Sequence, residues 1–220
     1  MKKEFFSVLV ILILIFLCFN VAYAQAGKSG GLKFYADFKP LVGGWSEYEL
    51  KQKGESPVKM RIAVVGKEGD AYWYETVMDT KREGKMITKM LVSGDPDDRK
   101  NVKRMIVKMG NEPAMEMPVM MQQASTAKKE LEGKIVDKGS ETIKVPAGTF
   151  KTQHTQYQGK DVVVDSWVYK DVSPYGMIKS QSKDFEMVLV NYGTGAKTLI
   201  TETPKKFEMP AMPQMPSRMK

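Results

Sequence analysis

The sequence predicts a mainly β protein with one substantial helix: a curved antiparallel sheet or incomplete barrel carrying a helical lid. Three observations lead there. From Trp45 onward, apolar and polar residues alternate with period two in one short segment after another, each bounded by Gly, Pro, Asn or Asp. Roughly ten or eleven such segments follow one another, the spacing of an antiparallel meander. A single mid-chain stretch breaks the rhythm and is built from good helix formers.

The elements are taken in chain order. Residues 1–24 read as a signal peptide: Lys2 and Lys3, then the unbroken apolar run FFSVLVILILIFLCF, then Ala22 and Ala24 in the small-x-small spacing of a cleavage site. An uncleaved inner-membrane anchor is the alternative, because the apolar run approaches the length of a short span. Cys18 follows Leu17, not the small residue that lipid attachment at a cysteine requires. Residues 25–33 form a flexible lead-in, and 34–203 a single antiparallel half-barrel domain.

Within that domain WSEYELKQKG is the first strand, and PVKMRIAVVGKEGD the second, with Val58, Met60, Ile62 and Val64 on one face. AYWYETVMD and MITKMLVSG continue the meander across a turn at REGK. RKNVKRMIVKMG has Val102, Met105, Ile106 and Met109 at helical spacing, yet it reads as strand because it extends the meander. EMPVMMQQASTAKKELEG is the predicted helix. Pro118 suits its first position and Gly133 its stop, and Met117, Met120, Met121 and Ala124 share one side. Strands resume with ETIKV, GTFKTQHTQY, DVVVDSWVYKDV, YGMIKSQSK, FEMVLVNYG and AKTLITET. Residues 204–220, with closely spaced prolines, read as a disordered Met/Pro-rich tail.

Composition narrows the function. The net charge of +8 remains positive once the leader's two lysines and one glutamate are gone. A basic exported chain can meet an anionic envelope surface. Both signs are interspersed, and no basic cluster is interleaved with aromatic residues, so nucleic acid is not expected. The one cysteine lies in the leader, which leaves the exported chain without disulfides, a thiolate metal site or a thiol nucleophile. His154 is the only imidazole, so a multi-histidine metal site is excluded and one candidate base remains. Hydrolase, zincin and phosphate-loop motifs are absent. Asp161 and Asp165, at i and i+4, would share one strand face and read as two solvent-facing charges, with paired acids only a loose alternative. No enzymatic activity and no cofactor are expected, and the chain is expected to be a monomer.

Methionine is the anomaly, with 17 in the chain. Its unbranched, polarizable side chain adapts to ligands of variable shape. On the predicted helix it would form a lid for acyl chains, or simply pack as filler. In the tail, Met209, Met212 and Met215 are spaced as thioether ligands for Cu(I) would be. VVVDSWVY adds Val162, Val164 and Val168 on one face and Val163, Trp167 and Tyr169 on the other. A strand apolar on both faces is covered on both or lines a cavity on one.

VPAGTF at 145–150, DSWVYKDVSPYGMIKS at 165–180 and MVLVNYGTGAKTLIT at 187–201 resemble a group of exported bacterial proteins with the same strand–turn signature. More distantly, the layout is similar to the LolA and LolB lipoprotein carriers. The local resemblance covers Lys134 to Thr203; the wider one is of architecture alone, and no binding residue follows from it by position. It implies a half-barrel with a helical lid over an apolar cavity for acyl chains. The expected function is a periplasmic binding or carrier module for a lipid, an acyl chain or a lipidated partner, with Met117, Met120, Met121, Ala124, Val164 and Trp167 lining the site. The alternative is a non-enzymatic structural or interaction protein of the envelope with a filled core, and the third reading is Cu(I) binding through the tail.

Overall fold

A computed structural model describes residues 40–80, 84–94, 99–118 and 133–207. Its strands are β1 (Trp45–Gln52), β2 (Val58–Glu68), β3 (Ala71–Thr80), β4 (Gly84–Val92), β5 (Val102–Met109) and β6 (Met115–Met117), then β7 (Gly133–Val145), β8 (Gly148–Gly159), β9 (Val163–Val168), β10 (Met177–Gln181), β11 (Phe185–Gly193) and β12 (Lys205–Lys206). They form one open sheet in the order β12-β6-β5-β4-β3-β2-β1-β11-β10-β9-β8-β7. Every pairing is antiparallel except β12 with β6.

Two meanders, β1–β6 and β7–β11, join where β1 pairs with β11. The mainly β, antiparallel expectation therefore holds, and the sheet does not close into a barrel. β6 and β7, consecutive in the chain, lie towards opposite ends of the strand order.

Three expectations need correction. Among the described residues there is no α-helix, only a 3-10 turn at Arg99–Asn101, so the helical lid is without support. Met117 ends a strand and Gly133 begins one, so neither bounds a helix on the described side; the residues between, 119–132, lie outside the described residues. AKTLITET is not a strand. It runs as an irregular strap whose Ile200 is buried with Val77, Ile87, Ile106 and Ala114. The strap continues past Pro204 into β12, where Lys205 N donates to Ala114 O at 2.9 Å and Phe207 N to Glu116 O at 3.0 Å. Residues 208–220 lie outside the described residues.

Alternation assigns the core. Tyr48, Leu50, Met60, Ile62, Met78, Met187 and Leu189 share one sheet face, called here the core face, and form its main cluster with Val172, Met177 and Ile178. Each such side chain contributes about 1.5–3 kcal/mol through burial. VPAGTF is the β7–β8 hairpin turn. Val145 and Phe150 are sunk in the same cluster, and Ala147 N reaches Leu189 O at 3.4 Å. The β9–β10 connection folds over the core face: Val172 is 1% exposed, and Tyr175 stacks on Tyr74 at 6.2 Å. Gly44 makes room for this connection, since a Cβ there would lie 2.2 Å from Ser173 Oγ.

The opposite face carries the charges. Trp73 lies under Lys89 at 4.9 Å and Arg104 at 5.2 Å. Glu75, 2% exposed, anchors the strap by accepting from Leu199 N at 3.0 Å and Thr198 Oγ1 at 2.6 Å. That geometry satisfies a carboxylate which burial would otherwise penalise.

Candidate site on the core face

Hairpin registers place the strand methionines side by side. Met60 is opposite Met78, Met78 opposite Met86, and Met86 opposite Met109, one straight row across β2, β3, β4 and β5. A second row sets Tyr74 opposite Met90, Met90 opposite Met105, and Met105 opposite Met117, across β3 to β6. Directly opposed side chains stand about 4.5–5.5 Å apart at Cβ, so adjacent thioethers lie within contact range. Both rows occupy the core face.

Exposure rises along each row. Met60 is 2% exposed, Met78 4% and Met109 39%, with Met86 in between. In the second row Met90 is 8% exposed, while Met105 and Met117 are half-buried, and neighbouring Met115 reaches 37%. The deep end is therefore packed core and the β5–β6 end presents flexible apolar side chains to the surroundings. Flexible thioethers fill irregular space and re-pack around different partners.

The residues singled out from sequence are divided by this geometry. Met117 belongs to the second row, as a strand residue. Val164, 5% exposed, is on the core face against Tyr157 and Ile135. Trp167 lies on the opposite face of β9 and does not meet Val164. It stacks on His154 at 4.4 Å and donates Nε1–H to Glu141 Oε2 at 2.8 Å. Met120, Met121, Ala124, Met209, Met212 and Met215 lie outside the described residues. Sequence reasoning missed Met60, Met78, Met86, Met90, Met105 and Met109 as a set. Each was visible as a strand residue, but their alignment needs hairpin registers that period-two alternation leaves open.

His154 lies beside Trp167 on that opposite face, between two carboxylates. Its Nε2 is 2.8 Å from Asp165 Oδ1 and its Nδ1 3.2 Å from Glu141 Oε2. Both ring nitrogens are thus engaged by carboxylates, and Gln156 Nε2 also donates to Asp165 Oδ1 at 3.0 Å. No group of three or more His, Cys, Asp or Glu suited to a metal ion occurs among the described residues. Several cations of this face are locally matched: Arg104 with Glu116 at 2.7 Å, Lys179 with Glu186 at 3.0 Å, and Arg61 over Trp45 at 4.9 Å. The Arg104 guanidinium holds the Glu116 carboxyl below its ordinary value, and Lys108 does the same to Glu202 on the strap.

No protein-family model matches the chain, and no curated protein matches it in sequence. Solved structures similar to it include the hypothetical protein CT021 from Chlamydia trachomatis (10% identity, 76% of this chain and 94% of that one, TM-score 0.47). An exported protein with a YmcC-like fold from Bacteroides fragilis is similar over 71% of this chain and 98% of that one (10% identity, TM-score 0.38). MucB in complex with MucA(peri) matches over 70% of this chain and 51% of that one (9% identity, TM-score 0.42). Among the described residues no helix is long and apolar enough to cross a membrane.

Proposed function

We propose that this chain is an exported, non-enzymatic binding or carrier module that holds an acyl chain, from a lipid or a lipidated partner, against the methionine rows. The observation that carries the reading is the exposure gradient, from 2% at Met60 to 39% at Met109 along one in-register row. Single exposed methionines are ordinary on a protein surface; what favours a site is their continuity with a packed row. An acyl-chain site needs a rigid floor continuous with a compliant mouth. Recognition is by apolar contact, so no cofactor enters, and one chain suffices.

The second reading, a filled-core structural protein of the envelope, draws on the deep ends of the rows and on Tyr175, which covers Tyr74. Native mass spectrometry of protein extracted without detergent exchange separates the two. A carrier brings a population whose added mass is that of a lipid or fatty acid. Unliganded protein alone, with no uptake of added fatty acid, would remove the carrier reading.

A further inference from the structure

At the β8–β10 end, the same core face carries oxygen atoms that apolar contact does not use. Thr155 and Tyr157 are two residues apart on β8 and share that face. Thr155 is opposite Ser166, and Ser166 is opposite Ser180. Thr155 is 3% exposed, Tyr157 2%, and the two serines 4% each. Thr155 Oγ1 and Tyr157 Oη have no hydrogen-bond partner among the described residues.

A buried hydroxyl costs free energy unless it is hydrogen-bonded, and none of the described residues supplies a partner here. Valine and phenylalanine would fill the same space without the oxygen. The ring of Tyr157 is specifically accommodated. A Cβ on Gly133 would lie 2.5 Å from it and a Cβ on Gly159 2.9 Å, so the glycine pair at the end of β7 and β8 makes its berth. Burial also pushes the Tyr157 phenol above its ordinary value, which keeps it a donor.

The register then shows a direction. The row that begins Thr155, Ser166, Ser180 continues to Met187 on β11 and Leu50 on β1. With strands about 4.8 Å apart, the face changes from hydroxyl to hydrocarbon within a few strand widths. Its hydrocarbon end, Met187 and Leu50, is packed in the main cluster, so the row grades from hydroxyl to packed core.

We propose that the Thr155 and Tyr157 hydroxyls receive the oxygen-bearing head of the acyl ligand, a carboxylate or ester carbonyl, so that its tail points toward the methionine rows. This rests on the carrier reading above. Both hydroxyls donate and the ligand oxygen accepts; no bond is made or broken.

The test uses the full chain and its T155V/Y157F variant, with a fluorescent acyl probe displaced by dodecanoate or by dodecane. Both substitutions preserve shape, so melting temperature should hold or rise. T155S, which keeps a hydroxyl, controls for packing. The parent should favour dodecanoate over dodecane by about tenfold, the size expected for a hydrogen bond to a charged group. The variant should lose that preference while dodecane displacement is unchanged. Equal displacement by both ligands in the parent, or a preference that survives in the variant, would overturn the head-group assignment and leave the acyl site standing. Failure of the parent to bind probe, dodecanoate or dodecane would remove the underlying reading as well.

Discussion

The two halves of the core face are built from different side chains on the same backbone pattern. Across β2–β6, registers line up methionines; across β8–β10, they line up Thr155, Ser166 and Ser180. Both halves are antiparallel and both alternate with period two. Thioethers tolerate many neighbours at little cost, whereas a buried hydroxyl needs one partner in one place. On the proposed reading, the first half takes acyl chains of variable length and the second a fixed group. The contrast teaches that alternation makes a face, and register decides what that face can hold.

The strongest way to break the contrast is to put a charge at each end of the methionine rows. Met78→Asp buries an unpaired carboxylate at a residue 4% exposed and should cost several kcal/mol, enough to unfold the domain in a thermal melt. Met117→Asp, at the half-buried end, should cost about 1 kcal/mol or less yet abolish acyl-probe binding. Equal destabilisation by the two would mean that the rows are uniformly core.

Truncation sharpens the same gradient. Alanine at Met60 or Met78 should cost about 2–5 kcal/mol in urea unfolding. At Met109, 39% exposed, the cost should fall within about 0.5 kcal/mol. In the hydroxyl half the sign reverses. Thr155→Val removes an unpartnered oxygen and should leave stability unchanged or raise it by about 1 kcal/mol; a clear loss would show that the hydroxyl already has a partner.

The strap offers the smallest effect. Glu116 and Glu202 are held below their ordinary values by Arg104 and Lys108. A depressed carboxyl contributes stability that is full above its unfolded value and is lost as pH falls through its folded value. Acidification below the ordinary glutamate range should therefore loosen the strap, seen as lower amide protection at Leu199 and Phe207 relative to the intrinsic exchange rate at each pH. Unchanged protection there would assign strap retention to Glu75 and the Ile200 contacts alone.

Much of this was legible in the sequence. Strands β1–β5 and β8–β11 follow directly from alternation and turn residues. The face of Val58, Met60, Ile62 and Val64 is the one that packs. What could not be read was long-range. Register sets Met60 beside Met78 and Met86, and a hairpin slipped by one residue would have the same composition and a different face. AKTLITET has the alternation of a strand, but Thr198 and Leu199 spend their hydrogen bonds on the buried Glu75, so no ladder forms. Trp167 was placed by sequence with Val164 in one lining. The alternation that puts Val164 on the core face puts Trp167 on the other, where His154 and Glu141 hold it.

The most direct measurement is photocrosslinking with a fatty acid carrying a diazirine at its tail, followed by peptide mapping of the modified sites. The account predicts labels on the open ends of the methionine rows, at Met105, Met109, Met115 or Met117, competed away by unlabelled fatty acid. Competable labelling confined to the opposite face, around Trp73 or Trp167, would contradict it.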